Sequence, residues 1–327
     1  MKTIAFFNNK GGVGTTSLLY HLAHMFARQG QTVVAADFDP QANLTAMFLT
    51  DAEIETVWDA PAGASVHAAM RPLIEGTGDL RPIAARAVGE RMFLLPGDLT
   101  LSDIEDELSA QWPNCLGGGA QARAFRVTAG FDRMLRAAGE AAGATLGLID
   151  VGPNLGAINR CALIAADYVL IPVSPDLFAI RGLQNVGPKL KSWRQEWRDR
   201  RKRAPQGLDF PSPAGEMRPI GYVIARYAAF GSGAAKAFQR WLDRAPEAYA
   251  RAVLGTAGAR ANQPADPNCL AQLKDYRSLM ALAQEARRPM FLLRPADGAI
   301  GGHQAAVASC YQDFERLAAA VAERIAL

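Results

Sequence analysis

The chain has 327 residues, half of them hydrophobic, and a formal net charge of +3 at pH 7. This length and apolar content are sufficient for a large buried core, and we expect one α/β domain over residues 1–327. No apolar run approaches the ~20 residues of a membrane helix, and the chain opens with a predicted strand instead of a signal sequence. We therefore expect a cytoplasmic protein without membrane segments.

Predicted strands alternate with predicted helices along the chain, which is typical of βαβ units. Most of the strands are continuous apolar runs, as expected when helices cover both faces of a sheet. The predicted strands are residues 3–8, 32–37, 92–95, 146–150, 168–173, 220–225 and 290–293. The predicted helices are residues 15–29, 102–110, 122–142, 155–165, 178–203, 233–252 and 304–325. This order predicts a doubly wound α/β fold with a mostly parallel sheet.

Two stretches look like additions to a minimal core of this kind. We expect residues 51–91 to be an insertion, and the proline-rich residues 204–219 to be a surface loop. The chain contains no internal repeats and no low-complexity tracts.

The cysteines and histidines show no spacing typical of a metal site. The cysteines lack C-x-x-C spacing, which argues against a disulfide framework, a zinc site and an iron–sulfur cluster. We expect reduced thiols in or near the core at Cys115, Cys161, Cys269 and Cys310. We expect packing or surface roles, without metal-ligand pairing, for His21, His24, His67 and His303.

A glycine-rich segment follows the first predicted strand directly. Its glycines let backbone N–H groups turn inward around phosphate oxygens, and the helix that begins near Thr15 adds the positive end of its dipole. Thr16 stands where such loops hold a magnesium ion through a hydroxyl group. The segment therefore predicts a site for a nucleoside triphosphate, formed by Gly11, Gly12, Val13, Gly14, Thr15, Thr16 and Ser17.

The loop lacks its usual cation. The residue before the metal-binding hydroxyl is normally a lysine that reaches the β- and γ-phosphates, and here it is Thr15. Losing one charge-assisted hydrogen bond of roughly 1.5–3 kcal/mol would weaken ATP binding ~10- to 150-fold. Losing a preorganised group that stabilises transition-state charge costs ~10²–10³ in rate. We expect weak or absent hydrolysis whether Thr15 is natural or results from a lysine-to-threonine change. The intact loop around Thr15 favours the second of these origins.

Three segments together resemble the ParA/MinD family of deviant Walker A ATPases. Residues 10–16 resemble the family pattern K-G-G-x-G-K-[ST] at every position except Thr15. Residues 37–43 resemble its D-x-D-P-Q-x-N segment, and residues 150–156 resemble its Walker B turn, D-x-x-P-x-x-G. The order and spacing of the three agree, and the resemblance continues through residues 168–173 and, more loosely, 218–227 and 289–327.

The resemblance implies roles for individual residues. Lys10 matches the family's signature lysine, which in relatives reaches across a dimer interface to the partner's ATP. Asp39 matches the carboxylate thought to orient or activate the attacking water. Arg226 and Pro295 occupy the two loops after strands that flank the adenine base in relatives.

Three candidate metal ligands are expected at one edge of the sheet. In an open parallel sheet, ligands bind at the carboxyl ends of the strands, where Asp37 and Asp150 end two predicted strands. Together with the Thr16 hydroxyl they would hold Mg²⁺. Each aspartate alone could equally be a helix cap or a turn residue. Their occurrence together behind a glycine loop favours the metal site.

A strongly basic segment is the other charged feature. Residues 189–203 contain eight basic residues against Glu196 and Asp199, a local charge of +6. At helical spacing Leu190, Trp193 and Trp197 predict an apolar stripe. One interpretation is a solvated helix face docked by its tryptophans, the second is a non-specific DNA surface, and a membrane surface is third. The candidate DNA-binding residues are Lys191, Arg194, Arg198 and Arg201.

These observations and the resemblance together favour a ParA-type nucleotide switch. Such a protein would bind ATP or ADP with Mg²⁺, form a homodimer with ATP, and bind DNA non-specifically, which would associate it with the nucleoid. It would position cargo, with hydrolysis stimulated by a ParB-like partner. Two alternatives are a catalytically dead scaffold or regulator, which Thr15 favours, and an ATP-dependent synthetase, against which the D-x-D-P-Q segment argues.

Overall fold

An eight-stranded sheet lies at the centre of the part of the chain that a computed structural model describes. That part comprises residues 1–60, 63–117, 120–227, 239, 241–256, 266–276 and 278–327, with the backbone alone for residues 179, 226 and 227. The strands are β1 (Lys2–Phe6), β2 (Val33–Asp37), β3 (Arg86–Gly89), β4 (Met92–Leu95), β5 (Leu146–Asp150), β6 (Tyr168–Val173), β7 (Arg218–Tyr227) and β8 (Cys269–Lys274).

The strand order is β3-β4-β2-β5-β1-β6-β7-β8, and every pair is parallel except β3 with β4. Strand β5 lies between β1 and β2, with Asp150 in register with both Phe6 and Asp37. The carboxyl ends of these three central strands therefore meet at one edge of the sheet. This arrangement confirms the doubly wound, mostly parallel α/β fold.

Helices cover both faces of the sheet. They are α1 (Thr15–Arg28), α2 (Asn43–Phe48), α3 (Asp51–Trp58), α4 (Val66–Glu75), α5 (Glu105–Asn114), α6 (Gln121–Thr128), α7 (Gly130–Ala141), α8 (Ala157–Leu163), α9 (Leu177–Arg201), α10 (Ala245–Tyr249), α11 (Ser278–Ala286) and α12 (Gly302–Ile325). Short 3₁₀ segments lie at Leu99–Ile104, Met290–Leu292 and Pro295–Asp297, and a π-helical turn at Ala250–Leu254.

Two hydrophobic cores lie on the two sides of the sheet. Successive side chains of a strand point to opposite faces, so Val34 and Ala36 join the core with α7 and α9. Val33 and Ala35 join the core with α1 and α12. Because both faces are covered, the central strands are apolar at nearly every position, which is why the sequence reveals them.

The predicted strand at residues 290–293 is wrong. The structure has a 3₁₀ turn there, Met290–Leu292, and the edge of the sheet is occupied by β8, which pairs parallel with β7. The Met290 N–H donates to the buried Nε2 of His21 at 3.0 Å and is unavailable for a strand ladder. Strand β8 is half-buried along most of its length, so it lacks the continuous apolar run that marks the central strands.

Two predicted helices differ from the structure. The predicted helix at residues 122–142 is divided into α6 and α7, which begins at Gly130. A side chain at Gly130 would approach the Met70 sulfur to 2.5 Å, so the start of α7 packs directly against Met70. The predicted helix at residues 233–252 falls largely outside the described residues, and its described part contains α10 and the π-helical turn.

The two expected additions have definite structures. Residues 51–91 form α3, α4 and the antiparallel strand β3. Residues 204–219 connect α9 to β7 across the Trp197 ring, whose Nε1 donates to the Pro213 carbonyl at 2.9 Å. Whether these segments are additions, and whether the chain is one domain, stay predictions. In the described residues, no helix combines the length and apolar character needed to cross a membrane.

Candidate functional site

The loop between β1 and α1 presents free backbone donors at the carboxyl edge of the sheet. Gly12 and Gly14 have φ angles of +75° and +85°, a left-handed conformation that favours glycine. Gly14 is the N-cap of α1 and offers no side chain to the first-turn N–H groups. These amides and the helix dipole are therefore directed at whatever occupies the space in front of the loop. Thr15 and Thr16 begin the helix there, as predicted.

A cavity of about 470 Å³ opens beside this loop. Its walls include Gly12, Gly14 and Thr16 on one side and Asn43 of α2 on another. The turn after α11 supplies the third wall with Arg288, a residue that sequence reasoning missed because it lies far along the chain. A smaller cavity of about 70 Å³ adjoins Ser17 and is lined by Leu18, Tyr276, Met280 and Phe314, among others.

Asp37 and Asp150 are both fully buried and lie side by side in the sheet register. Asp37 is well supported: it accepts from the Thr45 N–H at 2.8 Å and from the Thr45 hydroxyl at 2.7 Å. Neither carboxylate oxygen of Asp150 has a hydrogen bond of ordinary geometry, although the Thr16 hydroxyl and the Val151 N–H lie close enough to oppose the rise of its pKa. Thr45 was missed by sequence reasoning, since nothing in the sequence indicates that the start of α2 packs under Asp37.

Burial raises the pKa of Asp37 to about 7, and the neighbouring Asp39 adds to the rise against the Thr45 hydrogen bonds. Burial, followed by the charge of Asp37, raises the pKa of Asp150 well above its usual range, and the Thr16 hydroxyl opposes this rise. Two adjacent buried carboxyl groups, one with unpartnered oxygens, are unfavourable when both are ionised, and a bound cation would stabilise that ionised pair.

The residues fit a magnesium ion that also uses substrate oxygens. Among the described residues, no group of three or more His, Cys, Asp or Glu side chains is placed to hold a metal by itself. Magnesium is usually held by one or two carboxylates together with water and phosphate oxygens. The Thr16 hydroxyl beside Asp150, in front of a phosphate loop, matches that donor set.

Asp39 and Lys10 flank this centre on its two sides. Asp39 is 5% exposed, and its Oδ1 lies where a side chain at Gly152 would come within 2.9 Å, so it contacts the turn after β5. Burial raises the pKa of Asp39. Lys10 bends back onto its own chain: its Nζ donates to the Ser174 hydroxyl at 3.0 Å and forms an ion pair with Asp176.

The predicted adenine contacts stay predictions. The side chain of Arg226 lies outside the described residues, although its backbone is part of β7. Pro295 lies in an exposed 3₁₀ turn and is not among the residues that line either cavity beside the loop.

The basic segment of α9 is docked by its apolar stripe, since Leu190, Trp193 and Trp197 are at most 1% exposed. Its guanidinium groups are divided between the fold and the solvent. Arg194 donates to the Met217 carbonyl at 3.1 Å, and Arg201, although exposed, donates to the Ala214 carbonyl at 3.0 Å. Lys191 is exposed, and the exposed Arg198 donates to the Gln195 side chain at 3.2 Å within the helix.

Arg200 is the buried member of this segment. It donates to the Trp112 carbonyl at 2.8 Å, and its guanidinium lies 4.4 Å from the Trp112 ring centroid. Sequence reasoning did not separate it from its exposed neighbours, although its position three residues after Trp197 places it on the docked side of the helix.

His21 has a packing role of unexpected importance. Its ring is fully buried on α1, where Nδ1 lies 2.7 Å from the Ser17 carbonyl and Nε2 accepts from the Met290 N–H at 3.0 Å. Burial lowers the pKa of His21 to about 4. The ring therefore connects the start of α1 with the turn that follows α11.

Comparison with known proteins agrees with this geometry. Residues 1–202 match the family model described as an AAA domain. Protein IncC of Escherichia coli is 30% identical over 200 residues, which cover 60% of this chain and 47% of that protein. The chromosome partitioning protein ParA of Caulobacter vibrioides is 29% identical over 190 residues, covering 57% and 61%. The chain spans about half the length of the first curated relatives that it matches.

Solved structures share the fold over three quarters of the chain or more. Protein DIP2308 from Corynebacterium diphtheriae superposes with a TM-score of 0.73 and 25% identity, covering 99% of both chains. An ATP complex of McdA from Cyanothece has a TM-score of 0.66 at 17% identity, covering 100% and 97%. Cobyrinic acid a,c-diamide synthase from Mycobacterium smegmatis, with bound ADP and magnesium, has a TM-score of 0.52 at 22% identity, covering 75% and 82%. By its matched family model and its partitioning relatives, the chain belongs to the ParA/MinD family of P-loop ATPases.

Proposed function

We propose that this protein is a nucleotide-switch ATPase that binds ATP with Mg²⁺, dimerises and positions DNA or another cargo through an activating partner. The observation that carries the proposal is the unpartnered carboxylate of Asp150, fully buried beside Asp37 at the edge where the phosphate loop lies. A buried carboxyl group whose oxygens lack hydrogen bonds favours a bound cation, which would stabilise its ionised form. The partitioning relatives support the cargo-positioning part.

In this proposal the phosphates lie against the loop amides between Gly11 and Thr16. The Thr16 hydroxyl and Asp150 would hold the magnesium ion, and Asp37, fixed by Thr45, would shape the same site. Bound Mg²⁺ would supply positive charge to the phosphates. The raised pKa values of the two aspartates would then return towards normal.

Turnover would be slow because of Thr15 and Lys10, while Asp39 would keep its catalytic role. Thr15 cannot reach the phosphates as a lysine would, so one group that stabilises transition-state charge is missing. Asp39, beside the turn after β5, would orient the attacking water. Lys10, paired with Asp176 within its own chain, would have to leave that pair before it could contact a partner's nucleotide.

Exposed apolar side chains support dimer formation at this edge. Leu155, Leu177 and Phe178 are 36%, 43% and 70% exposed, and they follow β5 and β6 at the carboxyl edge. Covering such residues stabilises an association. The edge that would bind the nucleotide would then also be the edge that meets the second copy.

For DNA, the exposed cations carry the proposal. Lys191, Arg198 and Lys202 are exposed in the second half of α9 and just after it. Phosphate contacts from such side chains give salt-sensitive, sequence-independent affinity. Arg194, Arg201 and Arg203 would contribute less, because each already donates to a backbone carbonyl.

A calorimetric titration tests the proposed function. ATP and ADP with Mg²⁺ are titrated into the natural chain and its Thr15→Lys variant, and sedimentation measures dimers in parallel. We expect both chains to bind, with ATP-dependent dimers and faster turnover in the lysine variant. Absence of nucleotide binding in both chains would overturn the proposal.

A second candidate function is a scaffold or regulator that binds nucleotide without turnover. Thr15 favours it, because the loop keeps its glycines but lacks the catalytic cation. The same titration separates the two functions. A Thr15→Lys variant that binds ATP and dimerises, but releases no phosphate, would identify the scaffold.

A further inference from the structure

Among the described residues that line the cavity beside the phosphate loop, Arg288 is the charged one. It faces the same space as Gly12, Gly14 and Thr16, although it comes from the turn after α11. We propose that Arg288 binds the phosphates of the nucleotide and supplies, within the same chain, the positive charge that Thr15 does not. This inference rests on the proposed function and names a binding residue for it.

The end of α11 fixes the backbone at Arg288 from one direction. The helix ends in a tight reversal: Arg287 has a φ of 45°, and the Arg288 N–H donates to the Ala283 carbonyl at 3.0 Å. Such a left-handed residue with a bond back to the last turn is a common way to end a helix. Pro289 follows and restricts the chain further.

The same backbone is also fixed on the side of the phosphate loop. The Met290 N–H donates to Nε2 of His21, so the ring proton lies on Nδ1 and is directed at the Ser17 carbonyl. One buried ring thus holds the first turn of α1 and a point two residues beyond Arg288. The backbone of Arg288, from which the guanidinium extends, therefore keeps its place relative to the loop.

The Arg288 side chain is available for a ligand. Its ion pair with Asp297 has a separation of 3.9 Å, which is too long for a hydrogen bond, and the side chain is 41% exposed. Its neighbour Arg287 differs, because it donates to Asp51 at 3.2 Å and is absent from the cavity wall. The chain therefore offers a matched control of the same charge, one residue away.

A guanidinium suits this role. It stays charged at any physiological pH and presents several N–H donors in a planar fork that matches phosphate oxygens. One charge-assisted contact of this kind corresponds to roughly 10- to 150-fold in affinity. This is the same range as the loss expected from the missing lysine.

The test is ATP binding with Mg²⁺, measured by calorimetry on the natural chain, Arg288→Gln and Arg287→Gln. We expect Arg288→Gln to weaken ATP binding at least 10-fold, and Arg287→Gln to change it less than about 3-fold. The Arg288→Gln variant should also show a smaller decrease in affinity as salt rises, because one cation no longer contacts phosphate. Thr15→Lys, added to Arg288→Gln, should restore ATP affinity to the natural level or above.

Equal losses in the two glutamine variants, an unchanged affinity in Arg288→Gln, or a failure of Thr15→Lys to restore binding would overturn the inference. The proposed function would survive each of these results, since it is tested separately by nucleotide binding and phosphate release in the natural chain and in Thr15→Lys. If Arg288→Gln is unfolded by circular dichroism, Arg288→Lys replaces it. That variant keeps the charge and loses the fork, so we expect an intermediate affinity, and an affinity equal to that of the natural chain would contradict the guanidinium contact.

Discussion

The phosphate-loop edge and the basic segment of α9 both contain charged residues that the sequence indicates as candidate binding sites. The hydrogen-bond partners of these residues differ between the two regions. At the edge, the oxygens of Asp150 are buried without partners. In α9, Arg194, Arg200 and Arg201 already donate to backbone carbonyls. Buried polar groups in proteins are almost always hydrogen-bonded, so the first pattern favours a ligand and the second favours a structural role.

The largest expected effect concerns the missing lysine at the phosphate-loop edge. We expect Thr15→Lys to raise the rate of ATP hydrolysis ~10²–10³-fold, because a preorganised cation near the β- and γ-phosphates stabilises transition-state charge. Steady-state phosphate release measures the rate. Thr15→Ser is the control, since it keeps a short hydroxyl side chain and should leave the rate as it is. If the lysine variant hydrolyses ATP no faster than the unchanged chain, the phosphate-loop edge is not a catalytic site.

The second prediction compares the two aspartates of the edge directly. Asp150→Asn should abolish the increase in melting temperature that Mg²⁺-ATP gives, and should stabilise the ligand-free chain by roughly 1–3 kcal/mol at pH 8, because burial penalises the ionised carboxyl group that the unfolded chain carries at this pH. Asp37→Asn should stabilise that chain less, since the two hydrogen bonds that Asp37 accepts from Thr45 already offset part of the cost of its burial. Urea unfolding measures both. Equal effects of the two variants would contradict the distinction between them.

The third prediction makes the same comparison inside α9. Arg200→Ala should lower the free energy of unfolding by about 2–3 kcal/mol, because it removes charge-assisted hydrogen bonds and a contact with the Trp112 ring. Arg198→Ala should change stability by less than about 0.5 kcal/mol, but should reduce DNA affinity and lower its salt slope by about one. Urea unfolding and fluorescence anisotropy at several salt concentrations measure the two effects. If Arg198→Ala binds DNA as the natural chain does, the exposed residues of α9 are not the DNA surface.

The smallest expected effect concerns a half-buried histidine whose Nε2 atom is itself buried. The Nε2 atom of His24 has no partner, and burial, followed by the charge of His21, lowers the pKa of His24 to about 3. The unfolded chain therefore binds more protons than the folded one between about pH 3 and pH 6.5, and stability falls as pH falls through this range. We expect His24 to cost about 2 kcal/mol at pH 5 relative to pH 7.5.

His24→Leu should remove that part of the loss, and urea unfolding at the two pH values measures it. His67→Leu, a change at a half-buried residue in α4, serves as the comparison variant. If the pH dependence of stability is the same in His24→Leu and in the natural chain, the ring binds a proton as readily in the folded state as in the unfolded one.

Much of the fold and the core of the site could be predicted because their residues form local patterns. The central strands are apolar at nearly every position, and Gly12 and Gly14 reveal a loop whose backbone needs left-handed angles. Strand β8 was missed because a half-buried edge strand has no such pattern. The predicted strand at residues 290–293 failed because an N–H bond to His21, distant in sequence, determines its backbone.

Side-chain partners that come from remote segments could not be predicted either. Arg288 faces the phosphate loop from the far end of the chain, and Thr45 supports Asp37 through the packing of α2. Whether an arginine of α9 donates to a backbone carbonyl depends on Trp112, Met217 and Ala214, which the helical pattern does not contain.

The pairing of Lys10 with Asp176 has a consequence for assembly. In a symmetric dimer that uses Lys10 across the interface, both protomers must break the same ion pair, so its free energy enters the association constant twice. A pair worth about 1 kcal/mol in each chain would therefore make the dimer about 30-fold weaker. Because of this squared dependence, a change in the ion pair would alter the concentration at which dimers form more than it would alter the stability of either chain alone.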